Sequence, residues 1–141
     1  MEGIERAAKW EGHEKKVAAI AGYELGGQLY EASIDEAERS GLTDEERPPE
    51  VYFRCAAAYL HAGRLLTYLR MEGERRDEDL GKAVNFLKMV EKIERERAER
   101  ANRPINPEIW RVRNAAGYAC FLRGELAQAR LNYGSVLEMN P

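Results

Sequence analysis

The chain has 141 residues, enough for one domain with one real core, and its 44% hydrophobic and 33% charged residues place it with folded globular proteins and not with disordered ones. A formal net charge of −3 leaves a general nucleic-acid role without electrostatic support, and no apolar stretch approaches the ~20 residues that a membrane-spanning helix needs. The opening residues Met1 to Arg6 lack the basic-then-apolar order of a secretory signal, so a cytoplasmic location is expected.

Ala, Glu, Arg and Leu dominate, which favours helix, and no run of alternating β-branched residues bounded by turns is present. Ile4, Ala7, Ala8, Val17, Ile20, Ala21 and Leu25 recur at three- and four-residue steps and predict a first helix over 4–25. Gly26-Gly27 reads as a break, after which 28–40 resumes as a second helix stopped by Ser40-Gly41. Residues 42–49 form a polar loop closed by two prolines. Pro48-Pro49-Glu50 then starts a helix, with proline and an acid in the first turn. Val51, Tyr52, Cys55, Ala56, Tyr59, Leu60 and Gly63 line one face of it, and the pattern continues through Leu65, Leu66, Tyr68, Leu69 and Met71.

Residues 72–79 read as a charged loop. A helix over 80–101 buries Leu80, Ala83, Val84, Leu87, Val90 and Ile93 and ends in the alternately charged run 94–100, a solvated tail supported by pairs three and four apart. Asn106-Pro107-Glu108 supplies a cap, a first helical residue and a first-turn acid. The helix over 108–122 buries Ile109, Val112, Ala116, Ala119 and Cys120. Arg123-Gly124-Glu125 turns the chain, and the last helix, 126–139, faces Leu126, Ala129, Tyr133, Val136 and Leu137 inward before Asn140-Pro141 ends it.

Six helices in three pairs are therefore expected. A Leu-x-x-Ala step opens the second helix of each pair, at Leu29 to Ala32, Leu80 to Ala83 and Leu126 to Ala129. Gly27 and Gly124 precede their leucines by two positions, and Gly63 is the counterpart turn in the middle pair. Gly27 and Gly63 lie 36 positions apart, as do Tyr23 and Tyr59, whereas Ala83 and Ala129 lie 46 apart. The commonest helical repeats have a period of about 34, so the middle pair carries an insertion after Gly63.

Ala116, Gly117, Tyr118, Ala119, Gly124, Leu126 and Ala129, followed by Tyr133, Val136, Leu137 and Pro141, resemble a tetratricopeptide repeat. Gly117 matches the small residue where the two helices of a repeat touch, Gly124 their turn, Ala129 the small residue opposite, Tyr133 the large plug and Pro141 the stop. Tyr52, Ala56, Tyr59, Gly63, Ala83 and Leu87 match in the middle copy, and Tyr23, Gly27, Leu29 and Ala32 in the first, where Ile20 stands in place of a small residue. The resemblance implies a single all-α domain over 1–141, a right-handed array of three antiparallel helical hairpins with repeats over 13–41, 49–103 and 107–141.

In such an array the first helix of each pair lines a concave groove that holds a peptide or helix. The groove-facing side chains would be Glu50, Phe53, Ala57, Leu60 and His61, then Arg111, Asn114, Tyr118, Phe121 and Leu122. Ala57 stands where a carboxylate-clamping repeat carries Asn, which argues against capture of a chain terminus. Among the aromatics, Phe53, Tyr118 and Phe121 are expected to face the groove, and Arg111 beside Tyr118 is the expected anchor of binding energy.

Catalytic chemistry finds little support. His13 and His61 are the only histidines, and Cys55 lies six positions from His61 on one helix, so the two point in different directions. Neither H-E-x-x-H nor C-x-x-C is present, and Cys55 and Cys120 read as inert buried thiols. Gly22 to Gly27 follows a helix and lacks the Lys-Ser/Thr ending of a phosphate loop. Charge is uneven: residues 1–50 carry 6 basic and 13 acidic side chains, and residues 95–141 carry 8 and 5, an asymmetry that could steer a partner or a second copy. The expected function is a non-catalytic protein–protein interaction adaptor without cofactor or metal, with no nucleic-acid or membrane partner. The alternative is a self-assembling structural element, a homo-oligomer.

Overall fold

A computed structural model describes residues 2–43, 46–71 and 73–139, with side chains from residue 12 onward. The described residues are all helical in architecture, without a strand: α1 (Glu2–Arg39), α2 (Pro49–Tyr68), α3 (Glu74–Arg100), a single 3-10 turn (Pro107–Ile109), α4 (Trp110–Leu122) and α5 (Leu126–Met139). Each helix packs on the next in chain order, and α4 also touches α2. No described helix is long and apolar enough to cross a membrane.

The largest departure from the expected pairs is at the start. Residues 2–39 form one uninterrupted helix of 38 residues, about 57 Å long at ~1.5 Å per residue. There is no hairpin over 13–41 and no break at Gly26-Gly27. Glycine costs a helix interior about 1 kcal/mol, but here packing prevails over propensity. Ile20, Gly27 and Ile34, seven residues apart, face α2 and are buried. A Cβ on Gly27 would lie 2.7 Å from the Tyr59 ring, so this position admits only glycine without displacement. Gly27 is a contact residue, not a turn.

Gly63 is the same device in the middle of α2. Its added Cβ would lie 2.6 Å from Leu80 Cγ, so it lets α3 cross α2 closely and turns nothing. Gly117 repeats the arrangement between α4 and α5, where the nearest atoms belong to the Tyr133 ring, at 3.0 Å. Ala129 instead joins Leu80, Val84, Ala119 and Cys120 in a separate buried cluster.

The helices end on left-handed residues, which close the last turn by bonding back to orphaned carbonyls. Gly41 (φ 78°) ends α1 and Gly124 (φ 80°) ends α4, while Arg70 (φ 57°) and Asn102 (φ 49°) serve α2 and α3. The backbone N–H groups of Leu42, Met71, Arg103 and Glu125 donate to Ala37, Leu66, Ala98 and Cys120. Two expectations are corrected here. α2 stops at Tyr68 although the apolar pattern runs to Met71, and α3 starts at Glu74, six residues before Leu80, so most of the supposed charged loop is helix. The Asn106 cap is as expected: its side chain accepts from Glu108 N–H at 3.0 Å.

The main core lies between α2 and its neighbours, with Tyr52, Cys55, Ala56 and Tyr59 of α2 against Ile34 of α1, Ala83, Leu87, Val90 and Ile93 of α3, and Val112 of α4. The inward stripes expected for α3 and α4 are buried, with Ala116 half-buried; on α2, Tyr52, Cys55, Ala56, Tyr59, Gly63 and Leu66 are buried, Val51, Leu60, Leu65 and Leu69 half-buried, and Tyr68 and Met71 exposed. Those of the two outer helices differ. On α1, Val17, Ala21 and Leu25 are exposed, and on α5, Leu126 and Leu137 are exposed. Each end helix has a neighbour on one side only, so its second apolar flank has nothing to meet. The expected buried positions Ile4, Ala7 and Ala8, and the ending at Asn140-Pro141, lie outside the described side chains and residues.

Two polar networks lock α1 in place. The Arg47 side chain, 8% exposed, donates to the Leu42 carbonyl from Nε and Nη2, and to Glu38 Oε1 and Tyr52 Oη from Nη1, tying the end of α1 to the start of α2. On the side facing α3, Glu24 receives Arg75, and Glu31 receives the Tyr59 hydroxyl at 2.9 Å and sits 3.7 Å from Lys82 Nζ. Asp79 is buried beside Glu24, and its Oδ2 has no hydrogen-bond partner. Burial first, then the Glu24 carboxylate, pushes its pKa up to about 8, whereas the Arg75 hydrogen bond holds Glu24 below the usual carboxylate range.

Candidate functional site

α2 carries two kinds of surface. Tyr52, Cys55, Ala56, Tyr59, Gly63 and Leu66 go into the core, while Arg54, Ala57, His61, Arg64 and Tyr68, again at three- and four-residue steps, stay exposed or half-buried. This second stripe forms a floor with α1 as one wall and α4 as the other. Ala57 keeps its centre free of bulk.

Each end of the floor opens into a cleft. The first, about 370 Å³, is lined by Pro49, Glu50 and Phe53 of α2, Val90, Glu94 and Arg97 of α3, and Ile109, Arg111 and Val112 at the start of α4. The second, about 330 Å³, is lined by Lys16 of α1, Arg64, Leu65, Thr67 and Tyr68 of α2, and Tyr118 and Leu122 of α4. Lys16 Nζ stands 4.7 Å from the Tyr68 ring centroid, a cation held over an aromatic face.

Seven of the ten expected groove residues fall into four settings. Phe53 and Arg111 meet in the first cleft, with the Arg111 guanidinium 5.8 Å from the Trp110 ring. Tyr118 lines the second cleft, Phe121 is 55% exposed, and Asn114 is exposed on the same helix. Leu60 is half-buried and packs against two core clusters, so it supports the floor from below. His61 turns toward α1, where its ring stacks on Tyr23 with centroids 5.1 Å apart. Burial, then the nearby Arg64, holds its pKa below the usual histidine value, so the ring is neutral at physiological pH.

No family model, no curated protein and no solved structure matches this chain. The site therefore rests on its own geometry.

That geometry includes residues that the sequence pattern did not place at the groove. Lys16 and Tyr23 come from α1, and Arg54, Arg64 and Tyr68 from the exposed stripe of α2. Arg54 donates to Glu50 at 3.2 Å. Of the floor and wall residues named, Lys16, Arg54, Arg64 and Arg111 are basic and Glu50 is acidic. The α1/α2/α4 face is thus positive, although the chain as a whole is negative. The spacing of Arg54, His61, Arg64 and Tyr68 was the available signal: it marks the α2 face left over once the core stripe is removed.

The thiols stand apart from this face. Cys55 is fully buried and donates to the Gly27 carbonyl at 3.5 Å, and burial raises its pKa to about 12. Burial raises Cys120 as well. A thiol so held is a poor nucleophile. Among the described residues, no group of three or more His, Cys, Asp or Glu side chains converges as a metal site would require.

Proposed function

We propose that this protein is a non-catalytic interaction module that holds an acidic peptide or helix along the face between α2 and α4. The carrying observation is the exposed stripe of α2, lined by Arg54, Arg64 and Tyr68 and walled by Arg111 and Tyr118 of α4 and Lys16 of α1. Arginine and large aromatic side chains are the residues that most often anchor protein partners. An acidic partner would be drawn first by charge and then seated by the rings, and its affinity would fall with salt. The likeness of residues 109–141 to a tetratricopeptide repeat supports a binding role for the same helices.

Selection of a random displayed peptide library on the immobilised protein tests this reading. Enriched sequences should be rich in Asp and Glu with an embedded aromatic or Leu. Arg64→Ala, Arg111→Ala and Tyr118→Ala should each weaken the best peptide by about 10-fold while helical circular dichroism is unchanged. No enrichment, or peptides indifferent to all three substitutions, would refute the groove.

A further inference from the structure

The two clefts at the ends of the floor differ in charge. In the first, Arg97, Arg103 and Arg111 are matched by Glu50, Glu94 and Glu108, and Arg103 is paired with Glu94 at 2.7 Å. The second holds Lys16 of α1 and Arg64 of α2, and no acidic side chain is among the described residues that line it. Its own lining therefore leaves two positive charges unbalanced. Lys16 Nζ rests over the Tyr68 ring, 4.7 Å from the centroid, a weaker hold on an ammonium than a buried carboxylate would give. Arg64 precedes Tyr68 by four positions on the same face of α2, so both cations border one ring.

The rest of the lining suits an aromatic body. Tyr68, 68% exposed, and Tyr118 supply rings, and Leu65 and Leu122 supply apolar sides. The Thr67 hydroxyl donates to the Gly63 carbonyl at 2.8 Å and has no hydrogen left for a ligand, so the donors offered by the lining side chains are the two cations and the tyrosine hydroxyls. At about 330 Å³ the cleft has the size of a small-ligand site, more than an aspartate or glutamate side chain fills. A ring placed against Tyr68 and Tyr118 gains offset or edge-to-face contact. A carboxylate on that ring would answer one cation. A phosphate monoester carries about two negative charges at neutral pH and three acceptor oxygens, and answers both.

We propose that the second cleft is a seat for an aryl phosphate, the phosphotyrosine side chain of the acidic peptide that the groove holds. The ring lies against Tyr68 and Tyr118, and the phosphate accepts from Lys16 Nζ and the Arg64 guanidinium. The identity of the occupant rests on the peptide-binding reading, whereas the chemistry of the seat rests on the cleft alone.

Titration of the full chain with phenyl phosphate, followed by nuclear magnetic resonance of the backbone amides, tests the seat. Shifts should centre on Lys16, Arg64, Tyr68, Tyr118 and Leu122. Phenyl sulfate, which has the same shape and one charge, should bind about 10-fold more weakly, and so should inorganic phosphate, which lacks the ring. Lys16→Gln and Arg64→Gln should each weaken phenyl phosphate by about 10-fold with helical circular dichroism unchanged. Sulfate ester or inorganic phosphate binding as tightly as phenyl phosphate, indifference to both substitutions, or shifts centred on the first cleft would each overturn the seat. Adenosine monophosphate binding more tightly than phenyl phosphate would overturn the phosphotyrosine assignment in favour of a nucleotide. For the occupant, an acidic peptide selected on the protein should bind about 10-fold more tightly when its tyrosine is phosphorylated. A selected peptide that is weakened by Arg111→Ala but gains nothing from phosphorylation would overturn the proposal and leave the groove standing. Phenyl phosphate bound as expected, with no acidic peptide enriched, would refute the groove and the peptide occupant and leave the seat.

Discussion

Adjacent glycines in α1 should respond to the same substitution with opposite signs. Replacing glycine by alanine inside a helix gains about 1 kcal/mol when the new methyl meets nothing. Gly26 is such a position, with no atom within 4 Å of an added Cβ. At Gly27 the methyl would lie 2.7 Å from Cε2 and Cζ of Tyr59, about 1 Å inside ordinary carbon–carbon contact. The ring cannot yield freely. Tyr59 is 1% exposed, its hydroxyl donates to Glu31 at 2.9 Å, and it stacks on Phe86 at an interplanar angle of 5°. Overpacking of this kind costs about 1–3 kcal/mol, and disturbing the Tyr59–Glu31 bond adds about 1 kcal/mol. After the propensity gain, Gly27→Ala should destabilise by about 1–3 kcal/mol while Gly26→Ala stabilises by up to about 1 kcal/mol. Urea unfolding followed by circular dichroism in dilute solution would measure both. Equal losses at the two positions would mean that the pair turns the chain, as its composition alone suggests. A neutral Gly27→Ala would mean that α1 does not lie against Tyr59.

Other outcomes follow from the two networks that lock α1. Asp79 has a folded-state pKa of about 8 against an ordinary value of 3.8, so the folded protein holds a proton that the unfolded chain has already released. The stability tied to that proton is fully present below about pH 4 and is lost as pH rises through about 8, by up to ~1.4 kcal/mol per pH unit. Glu24, with its pKa lowered, acts in the opposite sense and loses its contribution on acidification below its ordinary value of 4.5. Asp79→Asn, whose amide cannot ionise, should therefore flatten the decline between about pH 5 and pH 9 and leave the variant more stable than the parent at the alkaline end. Parallel urea midpoints across that range would refute the retained proton. Arg47→Ala should cost about 2–4 kcal/mol, because it strips bonds from the Leu42 carbonyl, Glu38 and the Tyr52 hydroxyl at once. Arg47→Lys should recover little of this, since an ammonium cannot reproduce the guanidinium fork. A loss below about 1 kcal/mol in either urea series would contradict the latch.

Much of the helical layout was legible where residue chemistry permits one reading. Pro48-Pro49-Glu50 and Asn106-Pro107-Glu108 can begin a helix and cannot sit inside one, and Gly41 and Gly124 provide the left-handed residue that ends one. Gly26-Gly27 was ambiguous, because the lack of a side chain serves a turn and a close crossing equally well. Only the position of Tyr59, 32 residues further on, decides between them. Arg70 could not be foreseen as the left-handed residue after α2, because nothing in an arginine announces a positive φ, and the apolar run through Met71 pointed the other way. Asp79 was hidden in a charged run that would normally be solvated. Its burial depends on Glu24, which only the packing of α1 brings near. At the candidate site, Phe53, Arg111 and Tyr118 lie on the clefts, while the α1 wall was missed because α1 had been divided at its glycines.

The two thiols sit at opposite ends of the stack, each roofed by an outer helix. Cys55 lies beneath α1 with its hydrogen on the Gly27 carbonyl, and Cys120 shares a cluster with Ala129 of α5. A sulfhydryl reagent can reach Cys55, which is fully buried, only when its roof lifts, whereas Cys120 lines a cleft of about 350 Å³ between α3, α4 and α5. In a linear stack the end layers can open with less work than the middle. The rate of alkylation at Cys55 therefore acts as a stopwatch for unzipping from the first helix, without any engineered label.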